Sequence, residues 1–427
     1  MSTSTPSNPP PKGVRRGTPP RGADLARTPL LISIVTSQFG ISMVYGAVPG
    51  VLLALQVQTL AGDDAKAGVL SLFTAFGAVA ALLSQPLAGM LSDRTRSRVG
   101  SRTPYVLGGG LIAAPVLWAM GTVDSLLVLA VLYVVSEFVL SAAQGPLAAV
   151  LPDRVPAERR GRFSAGLGLG IMLGSVAGTV LASVLSDDLR IAYLVLGCVP
   201  VVLGATRLYL AADTDNRGVA RPPSTDGMRW WRTFLVSPRD HPDFWWVVGS
   251  RMFTYTGFFV VQGYSLYLLG DYVGLGDDAV GHVGIAAGIA ALCICLAAVP
   301  AGLLSDRVGR RKIFVQVASV TMGVGFMIPL FSPSLPAYLT MVVVTSLAFG
   351  CFEAVDTALV TQVLPRSTSF AQDLGVTNVA SIAPQILAPA IAGVIVVTTD
   401  GYALVFPAAA LFAVLGGVTV TRIRGTR

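Results

Sequence analysis

Charge is what this sequence has least of. Only 12% of its 427 residues are Asp, Glu, Lys or Arg, about half the share of an ordinary soluble domain. Histidine is scarcer still, at His241 and His282, and the four cysteines, Cys198, Cys293, Cys295 and Cys351, all fall inside apolar runs. Without nearby His ligands a Cys/His metal centre is not expected, and the cysteines read as small core residues. There is no phosphate-cradling glycine loop and no nucleophile–His arrangement, which argues against an enzyme. No short apolar segment with a small-residue cleavage site follows the N-terminal arginines, so the start is not read as a signal peptide.

What the chain has is apolar length. It is 53% hydrophobic with a mean hydropathy of +0.70, and the apolar residues come in stretches of about 20, enough to cross a bilayer core as helix. Lipid offers the backbone no partners, so such runs must be helices. The expected fold class is an all-α membrane protein of twelve transmembrane helices in two pseudo-symmetric six-helix bundles. The spans fall at about 30–55, 66–91, 104–121, 125–151, 161–186, 190–211, 242–270, 280–304, 312–332, 335–363, 372–398 and 401–421. A disordered tail at 1–29 precedes a bundle at 30–212, a linker at 213–241, a second bundle at 242–421 and a tail at 422–427. Alternating the loops between two sides puts 27 of the 30 Lys and Arg on one of them. By the positive-inside rule that side is cytoplasmic, with both termini on it, in the plasma (cytoplasmic) membrane. The net charge of +7 is therefore a topology signal, and no nucleic-acid partner is expected.

The chain also writes itself twice. AGMLSDR at Ala88–Arg94 returns as AGLLSDR at Ala301–Arg307, 213 residues on, and Val150-Leu151-Pro152 returns as Val363-Leu364-Pro365 at the same interval. Two markers with one offset indicate a duplicated unit, the plan of a two-halved transporter. An Asp beside clustered arginines in each copy suggests a cytoplasmic gate of Asp93, Arg94, Arg98, Asp306, Arg307 and Arg310, with Asp153 of the next basic loop. In it the Asp would cap a helix or pair with an Arg of a facing loop. Headgroup anchoring is the plainer alternative.

Polar residues inside the spans carry the rest. A carboxylate in an apolar run costs several kcal/mol and marks an ion or substrate path by default. Glu137, Ser141 and Gln144 share one helical face, and Glu137 suits a group that takes up and releases a proton. Arg251, Tyr255, Phe258 and Gln262 form a second stripe, Glu353 and Asp356 lie one turn apart, and Asn378, Ser381 and Gln385 form a third polar face. Arg251 must be paired or snorkelling, since Arg does not give up its charge. Glu137, Asp356 and Glu353 are the expected proton-coupling residues. Gln38, Ser141, Gln144, Arg251, Tyr255, Gln262, Asn378, Ser381 and Gln385 are the expected cavity lining.

The AGxLSDR repeats followed by arginines resemble the loop motif of the major facilitator superfamily, and the resemblance spans about 30 to 421. Within it, SDRTRSRVGSRTPY (92–105), Gln38-Phe39-Gly40 and Gln144-Gly145-Pro146 are similar to the sucrose-type and glycoside–pentoside–hexuronide cation symporters. That branch places an acidic proton site seven positions before the Gln, where this chain has Glu137. It places a substrate-linked Arg two positions after the Pro, where this chain has Ala148. The resemblance implies the twelve-helix fold, alternating access and proton coupling. It points to a symporter of a sugar or glycoside, working as a monomer on a small-molecule substrate in a lipid bilayer, with the proton as coupling ion and no other cofactor. A proton-driven exporter of drugs or secondary metabolites is the alternative, and a non-transporting receptor or scaffold a third.

Overall fold

The computed structural model describes residues 27–155, 160–211, 216–217, 242–363 and 370–423. All regular structure among them is helical. Helix α1 comprises Arg27–Ala47, a π-helical turn at Val48–Leu52 and Leu53–Ala61. It is followed by α2 (Lys66–Arg94), α3 (Thr103–Met120), α4 (Leu126–Arg154), α5 (Arg160–Val184) and α6 (Leu189–Ala211). The second series is α7 (Pro242–Gln262, carried on by Ser265–Tyr267 and a π-helical turn at Leu268–Tyr272), α8 (Ala279–Val308) and α9 (Arg311–Phe326, then Ile328–Phe331). It ends with α10 (Leu335–Val363), α11 (Phe370–Thr399) and α12 (Val405–Val420). Nine described helices are long and apolar enough to cross a membrane, and Ala383–Thr399 and Val405–Val420 are shorter apolar helices. Large apolar side chains such as Leu127, Val184 and Val202 point outward, as lipid-facing helices require.

Packing repeats as the sequence does. In the first half α1 packs on α5 and α6, α2 on α4, and α3 on α4 and α6; in the second, α7 packs on α11 and α12, α8 on α10, and α9 on α10 and α12. The first helix of each series carries a π-helical turn, and Pro49 lies in the first of them. An extra residue in the turn lets the helix bend without an orphaned amide. The glycine face of α5 lies on α1. A Cβ at Gly170 would sit 3.0 Å from the Val35 carbonyl oxygen, and one at Gly174 would sit 2.5 Å from that of Phe39. Only Gly permits so close an approach.

The halves meet through two helix pairs, α2 with α11 and α5 with α8. Cys295 Sγ meets Met172 Sδ at 3.9 Å midway along the α5–α8 pair, and further contacts lie at the end remote from the 93–102 and 306–312 hairpins. Ser71 Oγ donates to the Ala390 carbonyl at 3.5 Å, and Gly284 faces Ser183. Nearer the hairpins, Leu83, Leu87 and Leu91 of α2 and Leu296, Leu303 and Leu304 of α8 are exposed.

Candidate functional site

Two clusters of polar side chains lie within the helical body, one per half. In the second half, α7 presents Arg251 and Tyr255 one turn apart towards Glu353 and Asp356 of α10. Arg251 Nε donates to Asp356 Oδ2 at 2.7 Å, Nη2 reaches Thr357 Oγ1 at 3.4 Å, and the guanidinium sits 5.8 Å from the centre of the Tyr255 ring. The Tyr255 hydroxyl donates to Glu353. Asp356 is wholly buried, and its Oδ1 has no hydrogen-bond partner among the described residues. One guanidinium thus stands among two carboxylates. It takes Asp356 directly and leaves Glu353 to the tyrosine. Aromatic rings wall the cluster: Phe258 and Phe349 stack at 4.1 Å, and Tyr255 meets Phe349 edge-on at 5.3 Å. Gln262, the last residue of the expected stripe, is exposed where the regular helix ends, and makes no part of this cluster.

In the first half, Glu137 of α4 is 8% exposed and packs against α2 where Gly77 leaves room. A Cβ at residue 77 would lie 3.0 Å from Glu137 Cγ and 2.6 Å from the Tyr133 ring. Tyr133, one turn earlier on the same face, lines the same notch beside Glu137. Tyr45 of α1 shares a 2.7 Å hydrogen bond with Ser141 and lies within electrostatic reach of the glutamate. Gln38 Nε2 donates to Ser42 Oγ at 3.2 Å, and Gln85 of α2 donates to Gln144 Oε1 at 3.3 Å. Among the described residues no Lys or Arg pairs with Glu137. Gln38 and Arg251 are 213 residues apart, the repeat interval. The same station on the first helix of each half is thus neutral in one and cationic in the other.

The basic hairpins hold themselves together. Arg102 Nη2 meets Asp93 Oδ1 at 2.6 Å and its Nη1 meets Ser92 Oγ at 2.5 Å, while Arg311 Nη2 meets Asp306 Oδ1 at 2.7 Å. Arg94, Arg98, Arg307 and Arg310 are exposed. Where the sequence suggests a helix cap or an arginine of a facing loop as partner, the ion pairs of Asp93 and Asp306 among the described residues lie within their own hairpins, Asp93 with Arg102 at the start of α3. Asn216 of the linker docks on the first hairpin, its Oδ1 accepting from Ser97 N at 2.9 Å and its Nδ2 donating to the Thr95 carbonyl at 3.1 Å. The side chains of Asp153, Asn378 and Ser381 lie outside the described residues; Gln385 is exposed on α11.

At the opposite end Lys66, which reads in the sequence as a minor outer charge, joins the halves through Asp271. Its other partner, Asp63, is held below the usual carboxylate range, chiefly by the hydrogen bond that Lys66 donates. Tyr133 and Gln85 carry no expected role in the sequence, and Arg207, one of the 27 cytoplasmic-side charges by position, is wholly buried in α6. The i, i+4 spacing of Tyr133 and Glu137 was the available signal for the first cluster.

A family model described as the Major Facilitator Superfamily matches residues 30–281 and 247–426. Among solved structures, a bacterial homolog of the human lysosomal transporter Spinster, inward-facing and occupied, superimposes with a TM-score of 0.71 at 14% identity. The match covers 94% of this chain and 97% of that one. The same homolog, inward-facing and unoccupied, gives 0.65 at 13% identity over 95% and 97%. The nucleoside transporter NupG gives 0.70 at 14% over 93% and 100%. Comparison with curated protein sequences returns no match. At such identities the structural likeness speaks for the fold alone.

Proposed function

The chain belongs to the Major Facilitator Superfamily, and we propose that it is a proton-coupled symporter of a sugar or glycoside that works by alternating access. The carrying observation is the contrast between the two buried acids. Asp356 has Arg251 at 2.7 Å, whereas Glu137 has tyrosines and a serine around it and no cation among the described residues. A buried carboxylate without a counter-charge is costly. Glu137 therefore avoids stranded charge by carrying a proton, and release of that proton is possible only when water or a partner reaches it. In this reading Glu137 is the proton carrier. Arg251, Asp356, Glu353 and Tyr255 form a fixed polar platform on the facing half. Gln38, Ser141, Gln144 and Gln85 offer amide and hydroxyl groups suited to a hydroxylated cargo.

The molecule sits in the plasma membrane as a monomer with both termini cytoplasmic, so the basic hairpins face inward and the Lys66 end faces outward. The cargo is a small molecule, and the coupling proton is the only cofactor. A second reading, a proton-driven exporter of lipophilic compounds, draws on the Tyr255–Phe258–Phe349 wall. Proteoliposomes with an imposed pH gradient, offered radiolabelled sucrose and a panel of glycosides and lipophilic cations, decide between them. Symport predicts sugar accumulation that vanishes in Glu137→Gln while counterflow exchange persists. A variant as gradient-dependent as the native chain would overturn the assignment of Glu137.

A further inference from the structure

The end of the bundle remote from the basic hairpins is tied across the two halves by one lysine and two tyrosines. Lys66 opens α2. Its Nζ lies 2.9 Å from Asp63 Oδ1 in its own turn and 2.9 Å from each carboxylate oxygen of Asp271, which ends the extension of α7. The same ammonium sits 5.2 Å from the centre of the Tyr267 ring, and the side chain is only 3% exposed. Tyr267 donates to the Ala54 carbonyl of α1 at 2.9 Å, and Tyr264 donates to the Ala67 carbonyl of α2 at 2.7 Å. Next to these bonds Ser71 meets α11. At the hairpin end, by contrast, Asp93 and Asp306 are satisfied locally, and no ion pair among the described residues crosses between the halves there.

We propose that Lys66 is the releasable pin of this end: by joining Asp271 it holds the two halves shut here, and the state in which this end opens is reached when Lys66 gives up Asp271 for water. The arrangement suits release. Asp63 belongs to the lysine's own turn, so it travels with Lys66 and keeps the freed ammonium paired. Asp271 borders a crevice of about 670 Å³ that it shares with Asp187, Asp277, Asp278 and His282. Without its lysine, this carboxylate faces Asp187 of the other half across the crevice, with Asp277 and Asp278 adding negative charge on its own side, which favours separation of the halves. The inference uses only the rocking of two halves that the fold provides. It depends on neither the cargo nor the coupling ion, so its failure would leave the symport reading standing.

Alkylation of a cysteine placed in the shut seam tests the pin. Ser71→Cys in the full-length protein is treated with N-ethylmaleimide, and labelling is followed peptide by peptide by mass spectrometry, because the four native cysteines are present as well. Adding Lys66→Met, which keeps the apolar stem against Tyr267, is expected to speed labelling at residue 71 about fivefold or more, the low end of ordinary conformational coupling. Asp271→Asn should act in the same direction, and Lys66→Arg should stay within about twofold of the parent. Unchanged labelling in both Lys66→Met and Asp271→Asn would overturn the proposal. So would a rise shared equally by buried Cys293, which reports general loosening rather than an opened seam.

Discussion

The two halves share a plan and differ in how they treat a buried acid. In the second, Asp356 is gripped by Arg251, with Tyr255 and Thr357 completing the ring of contacts. In the first, Glu137 lies against Gly77 and Tyr133, and the station equivalent to Arg251 is Gln38, which among the described residues bonds to Ser42 of its own helix. A paired acid is a fixed part of the framework, since losing either partner strands a charge. An unpaired one is free to change its proton with its surroundings. The scaffold is written twice, and one position on the first helix of each half, Gln38 against Arg251, sets an acid with a cationic partner apart from one with none among the described residues.

The sharpest way to break this contrast is Glu137→Gln. Gradient-driven accumulation in proteoliposomes should be lost, with counterflow retained, whereas loss of both would assign Glu137 to the framework after all. Next in size, Asp356→Leu alone should destabilise the purified protein by about 3–5 kcal/mol by stranding Arg251. The double variant Arg251→Met/Asp356→Leu should recover most of that, as read from thermal unfolding in detergent. A double variant no more stable than the single would mean that the pair is not the unit we describe.

Filling the notch beside Glu137 comes third. Gly77→Ala should cost about 1–3 kcal/mol by forcing Tyr133 and Glu137 aside, and should slow transport more than it lowers the unfolding midpoint. Ser141→Ala, which strips Tyr45 of its partner, should cost about 1 kcal/mol. The smallest effect concerns acid. Because Lys66 holds Asp63 below its ordinary value, the stabilisation from that carboxylate is complete above the unfolded value of about 3.9 and is lost as pH falls through the folded one. An Asp63→Asn variant should therefore show a flatter loss of stability below about pH 4 than the native chain.

How far the sequence reaches differs from residue to residue. The helices were legible because apolar length in lipid admits one backbone solution, and Arg251 demanded either an acid or a path to the surface because its charge cannot be discarded. Choosing between Glu353 and Asp356 needed the helix rotation that only packing supplies. Lys66 and Asp271 are 205 residues apart, and nothing local to either announces the other. The hairpin aspartates pose the opposite problem. Several arginines lay within reach, and spacing alone does not say that the one nine residues on, Arg102, folds back first. The Arg207 side chain shows the limit of the charge count, since an arginine at the end of an apolar run satisfies the topology rule whether it faces headgroups or, as here, the interior.

The two seams between the halves, α2 against α11 and α5 against α8, are images of each other under the repeat, since α2 corresponds to α8 and α5 to α11. A displacement that slid the halves past one another would compress one seam while it stretched the other. Tilting loosens both alike. Rocking of one half on the other is therefore the motion that treats the two seams alike, and the α1–α5 pair, held close by its glycines, moves as part of one half.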